Sequence, residues 1–311
     1  MPTYDSRTID SAGAFLVGEL ERLDRDLHLP LANVTWNRDI RLREDVTIGD
    51  EATSFVNTDF GVVGSAGSGK NWVSPQANAI AQISMDTSKT TQPLRLWAMA
   101  LGWSIPELTR AQQLGRPIDT QKHEGLTLKF NMDTDEQVYI GDEALGSTGL
   151  VNNPDITPDG YDAAWAADTA PDTILSDIND LIAATWERSA YAVCPDTLLL
   201  PPAKFAHLTR PVTTAGSASI LSYVSQQCLS AVTNGRPLAI RALKWLTGRG
   251  EAGVDRAVAY TDSKAYVRFP MVPLQRTPLE HRGIHQLTTY FGALGEVEFV
   301  YPETVGYADG L

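Results

Sequence analysis

Leucines at positions 16, 20, 23 and 27 recur at spacings of four, three and four. That rhythm places Leu16, Leu20, Leu23 and Leu27 on one stripe of a helix predicted over residues 10–28. Asp10 or Ser11 can cap it, and Pro30 stops it. A helix with a single apolar stripe needs a partner surface. Residues 32–48 alternate in part (Ile40, Leu42, Val46, Ile48) and read as extended. Residues 52–63 are β-prone, residues 79–85 alternate again, and residues 93–103 form a strongly apolar strand. Between these arms lies the glycine-serine run 64–70. The pattern predicts two long extended arms around a flexible tip. Fifteen residues of strand reach about 50 Å, and a hairpin of that length cannot bury both faces on its own domain.

Helical signals follow. Ser104 with Glu107 three residues on forms a capping box for a short helix through Ala111, and Pro106 falls in its tolerant first turn. Gly115 and Pro117 break it. Asp119 is read as the cap of a longer helix to about Tyr139, weakened by Gly125. Residues 141–171 are loop-rich. From Asp172 to Arg188, Ile174, Leu175, Ile178, Leu181, Ile182 and Trp186 share one helical face, with Asp177 and Asp180 turned away. A strand is expected over 191–200. A helix capped by Ser217 comes next, with Ile220, Leu221, Val224 and Cys228 on its buried side. Four strands complete the chain at 238–246, 256–262, 265–274 and 286–303, the last broken near Gly292 to Gly295. The fold class is α+β, and no internal repeat is visible.

Composition narrows the function. The 311 residues carry 38 acidic and 25 basic side chains, a formal net charge of -13. This disfavours a duplex reader with a basic surface and a polybasic membrane anchor. No run of about 18 apolar residues is present to span a bilayer. Residues 1–10 lack the apolar core of a secretory signal. The charge is also uneven: residues 130–187 contain thirteen acids and no Lys or Arg. That stretch accounts for the entire net charge, and its default reading is a solvated acidic face.

Gly64 to Lys70 satisfies the spacing G-x-x-x-x-G-K of a phosphate-cradling loop. Asn71 stands where Ser or Thr would hold Mg²⁺, and Pro75 follows where a helix should open. A turn at a hairpin tip fits better. His281 and His285 have chelating spacing on a helix, but Gly283 lies between them and no third ligand is evident. Asp155, Asp159 and Asp162 do not match a calcium loop. Cys194 and Cys228 sit in apolar surroundings, as buried thiols do. No catalytic, cofactor or metal site is expected.

The order of elements and several short signatures resemble the major capsid proteins of tailed bacteriophages, over essentially the whole chain. Leu101-Gly102-Trp103-Ser104-Ile105-Pro106-Glu107-Leu108, Ala111-Gln112 and Gly115-Arg116-Pro117-Ile118-Asp119 are similar to the family's approach to its spine helix. Ile140-Gly141-Asp142 with Gly149-Leu150-Val151-Asn152 resembles the exit from it. Leu199 to Leu208 resembles a strand, a proline pair and a short helix of the axial domain. Glu298 to Val305 resembles the final strand that returns to the peripheral domain. The resemblance implies an N-terminal arm (1–48), an extended loop hairpin (49–95), a peripheral domain with a spine helix (96–170), an axial domain (171–279) and a return to the peripheral domain (280–311).

It also implies a structural, non-enzymatic protein that self-assembles through pentamers and hexamers into an icosahedral shell. The shell would enclose double-stranded DNA without reading its sequence. Portal and scaffolding or decoration proteins would be partners, and assembly would occur in the host cytoplasm. Expected inter-subunit contacts are Lys70, Trp72 and the leucine stripe Leu16, Leu20, Leu23 and Leu27. Some relatives join a loop Lys to a neighbour's Asn, and Lys70 sits near the predicted tip. Two alternatives stay open: an encapsulin-like nanocompartment shell with the same fold, and a nucleotide-binding protein acting through Gly64–Lys70.

Overall fold

The structure is a computed structural model describing residues 31–63, 71–73, 75, 80–114, 118–161, 164–166, 169–212 and 218–310. The predicted helix with Leu16, Leu20, Leu23 and Leu27, and the run Gly64–Lys70, lie outside the described residues. The segment read as extended over 32–48 is more mixed. One helical turn, α1 (Trp36–Asp39), precedes a short strand, β1 (Arg41–Arg43).

The β-branched stretch 52–63 forms β2 (Ala52–Val63), which pairs antiparallel with β3 (Gln82–Pro93) over twelve residues. At about 3.3 Å per residue this hairpin is roughly 40 Å long. The sequence predicts all of β2, but within β3 it predicts only the two ends, up to Met85 and from Pro93, and not the polar middle, Asp86–Gln92. Those residues are extended because β2 supplies their ladder, not because a core selects them. After a corner at Leu94, β4 (Arg95–Ser104) leaves the hairpin and pairs along its whole length with a late strand, His285–Leu294.

Ser104 caps α2 (Ile105–Leu114) as the sequence requires. Its hydroxyl accepts the Glu107 N–H (3.2 Å), and the Glu107 carboxylate accepts the Ser104 N–H (3.4 Å). The long helix α3 (Ile118–Tyr139) starts one residue before Asp119, so Asp119 lies in its first turn rather than at its cap. Leu126, Phe130 and Val138 are buried on it, and Phe130 meets Trp97 of β4 edge to face at 5.1 Å. The loop-rich region adds only β5 (Asp159–Gly160).

Helix α4 (Pro171–Arg188) buries the predicted Ile174, Ile178, Leu181 and Ile182. The next strand is shorter than predicted. Ala190 and Tyr191 take left-handed conformations (φ 51° and 62°) that break any extension, and β6 covers only Thr197–Leu200. Then come α5 (Pro202–Leu208), α6 (Ile220–Gln227) and α7 (Leu229–Asn234). The cap of α6 is Ser219, which accepts the Ser222 N–H, rather than Ser217. The remaining strands are β7 (Ala239–Ala242), β8 (Arg256–Tyr260), β9 (Val267–Arg276), β10 (Glu280–Arg282), β11 (His285–Leu294), β12 (Glu298–Phe299) and β13 (Gly306–Asp309).

Two sheets organise the body. A five-stranded sheet runs β5-β13-β8-β6-β7, and a six-stranded one runs β1-β9-β11-β10 with β12 on β9 and β4 on β11. The central strands β13, β8 and β6 of the five-stranded sheet are buried along their whole length, which is why β6 and β8 read as nearly continuous apolar runs. Leu198, Leu200, Ala257, Ala259 and Ala308 face a core built with α4, α5 and α6. Leu199, Val258, Tyr260 and Tyr307 face a second core shared with α3 and the six-stranded sheet. Period-two alternation thus lets one sheet serve two cores.

Candidate assembly surfaces

Among the described residues the hairpin is anchored along its lower half, up to Asn57. Asn57 donates to the Val300 carbonyl (3.0 Å), Gln92 to the Val297 carbonyl (3.3 Å), and Arg43 to the Ser54 carbonyl (3.2 Å). Residues directly opposite in an antiparallel pair share a face. Thr53, Asn57 and Gln92 therefore lie on the face turned toward the body. The other face carries Val56, Phe60 opposite Met85, and Val62 opposite Ile83. Phe60 is 70% exposed and Ile83 73% exposed, so no described residue covers them. These five side chains expose roughly 500 Å² of apolar surface, the upper range for one patch on a monomer. Beyond β2, Trp72 is 80% exposed. An isolated two-stranded ribbon with a bare apolar face is marginal in water.

The segment before the hairpin is fixed by buried charge. The Asp135 carboxylate of α3 accepts the Thr35 N–H (2.7 Å), the Trp36 N–H (3.0 Å) and the Trp245 indole N–H (2.7 Å). Asp39 is fully buried. It accepts the Tyr139 hydroxyl (2.6 Å) and is paired by Arg38 and Arg241. Burial, then the Asp39 charge, push the Tyr139 phenol above its usual range. Glu298, also fully buried, lies between Arg43 (2.8 Å) and Arg268 (2.6 Å). These clamps fix where the hairpin leaves the body.

The acidic stretch is not one solvated face. Asp133, Asp135 and Asp177 each accept an indole N–H, from Trp97, Trp245 and Trp165. Asp177 is thus drawn toward the protein, not turned away as its helical position suggested. Lys129, Lys244 and Arg188, all from outside the stretch, pair with Asp133, Asp135 and Asp159. Sequence reading missed this because the indole partners are 36, 110 and 12 residues away.

The Gly141 to Asn152 run now has a physical reason. Gly141 takes φ 77°, and a Cβ on Gly149 would sit 2.3 Å from the Tyr139 carbonyl carbon. Asn152 accepts the Gly149 N–H (2.7 Å) and donates to the Ile140 carbonyl (2.7 Å). Leu150 and Val151 N–H groups take the Val138 and Tyr139 carbonyls left over at the helix end.

Enzyme-like chemistry finds no constellation among the described residues. His281 and His285 lie in the β10–β11 hairpin, where Arg282 is opposite His285, so the helical chelate spacing does not apply. No group of three or more metal-ligating side chains is assembled among the described residues. Asn71–Val73, directly after the glycine run, form no helix of the kind a phosphate-binding loop opens. Cys194 and Cys228 are free and buried, and burial raises both thiol pKa values. No described helix is long and apolar enough to cross a membrane.

Solved structures share this fold. The capsid of Myoviridae phage XM1 superposes with a TM-score of 0.76 at 17% identity, covering 94% of this chain and 98% of that one. The capsid of the native GTA particle, computed with C5 symmetry, gives 0.65 at 14% identity and 99% coverage of both chains. A virus-like particle from Pyrococcus furiosus gives 0.51 at 10% identity, covering 88% and 91%. No curated protein matches. At these identities the likeness shows the fold. The family model "Major capsid protein" matches residues 69–311, so the chain belongs to the major capsid protein family and is a subunit of a capsid shell.

Proposed function

We propose that this subunit builds the icosahedral head of a tailed bacteriophage, through pentamers and hexamers, around double-stranded DNA. The hairpin with its uncovered apolar face carries the reading. Covering about 500 Å² of apolar surface yields roughly 12 kcal/mol before association costs, and rings with heterologous contacts supply a cover to every copy. In this reading residues 1–48 are the N-terminal arm and 49–95 the extended loop. Residues 96–170 and 280–311 form the peripheral domain with α3 as its spine, and 171–279 form the axial domain. Trp72 packs into a neighbour, and Lys70 and the leucine stripe make further contacts between subunits. The protein has no enzymatic role.

Assembly takes place in the host cytoplasm, with a portal and scaffolding or decoration proteins as partners. DNA is contained by subunit contacts rather than by a basic wall, because the acids of residues 130–187 attract no phosphate. An encapsulin-like nanocompartment is the second reading, motivated by the likeness to the Pyrococcus furiosus particle. Adjacent portal and terminase genes would favour the phage head, and an adjacent cargo enzyme the nanocompartment. A Phe60→Ser/Ile83→Ser variant tests the central step. It should keep the unfolding midpoint of the dissociated wild-type subunit and lose fast-sedimenting particles in ultracentrifugation. Particles in wild-type yield would overturn the reading.

A further inference from the structure

Strand β4 is an edge. Its inner side pairs with β11 over all ten residues, and no described strand pairs with its outer side. In an antiparallel pair every second residue turns its N–H and C=O outward. About five of each therefore point away from the sheet along roughly 33 Å. Among the described residues, one side-chain donor reaches a carbonyl of this strand, Lys122 to Gly102 (2.8 Å). Natural edges are guarded by charge, proline, bulges or brevity. β4 has Arg95 at its first position, no other charge, no proline and no shift of register against β11. Its open face presents Leu96, Ala98, Ala100 and Gly102, all exposed.

We propose that in the shell the outer edge of β4 is extended by strand β2 of a second copy of this chain. The inference rests on the shell reading above. The hairpin is singled out because no described strand pairs with the outer edge of either of its strands, and no described residue covers one apolar face. Its twelve-residue strands match the ten-residue edge in length. Of the two, β2 carries one charge, Asp59, whereas β3 is guarded by Asp86, Lys89 and Pro93. The small side chains of Ala98, Ala100 and Gly102 leave room for Val56 and Phe60 of the added strand. The joint forms on the order of ten backbone hydrogen bonds and closes two unguarded edges at once.

Cysteine pairing in assembled particles tests this. Ala98→Cys is combined with a second cysteine placed in turn at Val56, Thr58 and Phe60, and the shells are oxidised. One or two positions should give a ladder of covalent multimers on a denaturing gel, lost on reduction. Val232→Cys, exposed on α7, should give none with the same hairpin positions. Amide exchange in wild-type particles is the second readout and decides where a variant does not assemble. Outward amides of residues 96–102 should exchange at least tenfold more slowly in shells than in dissociated subunits. Well-formed shells with unchanged exchange, without a ladder, or with an equal ladder from Val232→Cys overturn the augmentation and leave the shell reading standing. A wild-type chain that forms no shells overturns both.

Discussion

Glu298 shows what a single residue does here. Its carboxylate is fully buried between the Arg43 and Arg268 guanidiniums, and Arg43 also holds the Ser54 carbonyl at the hairpin base. Removing one member of a buried charge cluster leaves the others uncompensated. Glu298→Gln should therefore lower subunit stability by about 3 kcal/mol in denaturant titration. Two residues upstream the sign reverses. Burial raises the Glu296 pKa despite the nearby Arg95 cation. As pH rises above about 4.3 the unfolded chain ionises this group before the folded one does, so the group costs stability at neutral pH. Glu296→Gln should raise the melting temperature at pH 7, and the gain should vanish as pH falls below about 4. A gain independent of pH would show that burial of charge is not the cause. Neither role was legible in sequence, because a carboxylate's value here depends on which distant cation or indole meets it.

Elements were legible where local signals and tertiary context agree. The Ser104–Glu107 box, the β-branched stretch 52–63 and the apolar stripe of α4 all formed as their residues dictate. Elements that rest on pairing alone were not. Asp86–Gln92 is polar and exposed and becomes strand through β2, and Gly306–Asp309 is a four-residue strand inserted beside β8. The turn that ends α3 lies between these cases. Its glycines were visible in the sequence, but not the close approach of Gly149 to the Tyr139 backbone. Because that contact is with backbone, the turn cannot yield by rotating a side chain. Gly149→Ala should cost about 3 kcal/mol or more, read as a lowered melting temperature of the dissociated subunit. A melting temperature within a degree of wild type would mean the turn relaxes freely.

At the scale of the molecule, two ordinary cores carry an element that no core explains. The central strands of the five-stranded sheet are buried along their whole length, α3 and the six-stranded sheet close the second core, and buried carboxylates clamp the chain before the hairpin. The hairpin then projects with an apolar face and two strand edges that no described residue or strand covers, and β4 adds a third such edge. Of the thirteen acids that produce the net charge of -13, four (Asp133, Asp135, Asp159 and Asp177) are held by indoles or by cations from outside the stretch, Asp133 and Asp135 by both. Glu136, Glu143, Asp155, Asp172, Asp180 and Glu187 are exposed. What remains unsatisfied within one subunit is apolar surface and strand edge, which another copy can supply. Electron microscopy of the purified recombinant chain tests this most directly. Closed hollow shells, or rings of five or six subunits, are the predicted result. A uniform population of 33.8 kDa monomers at tens of micromolar would contradict the account.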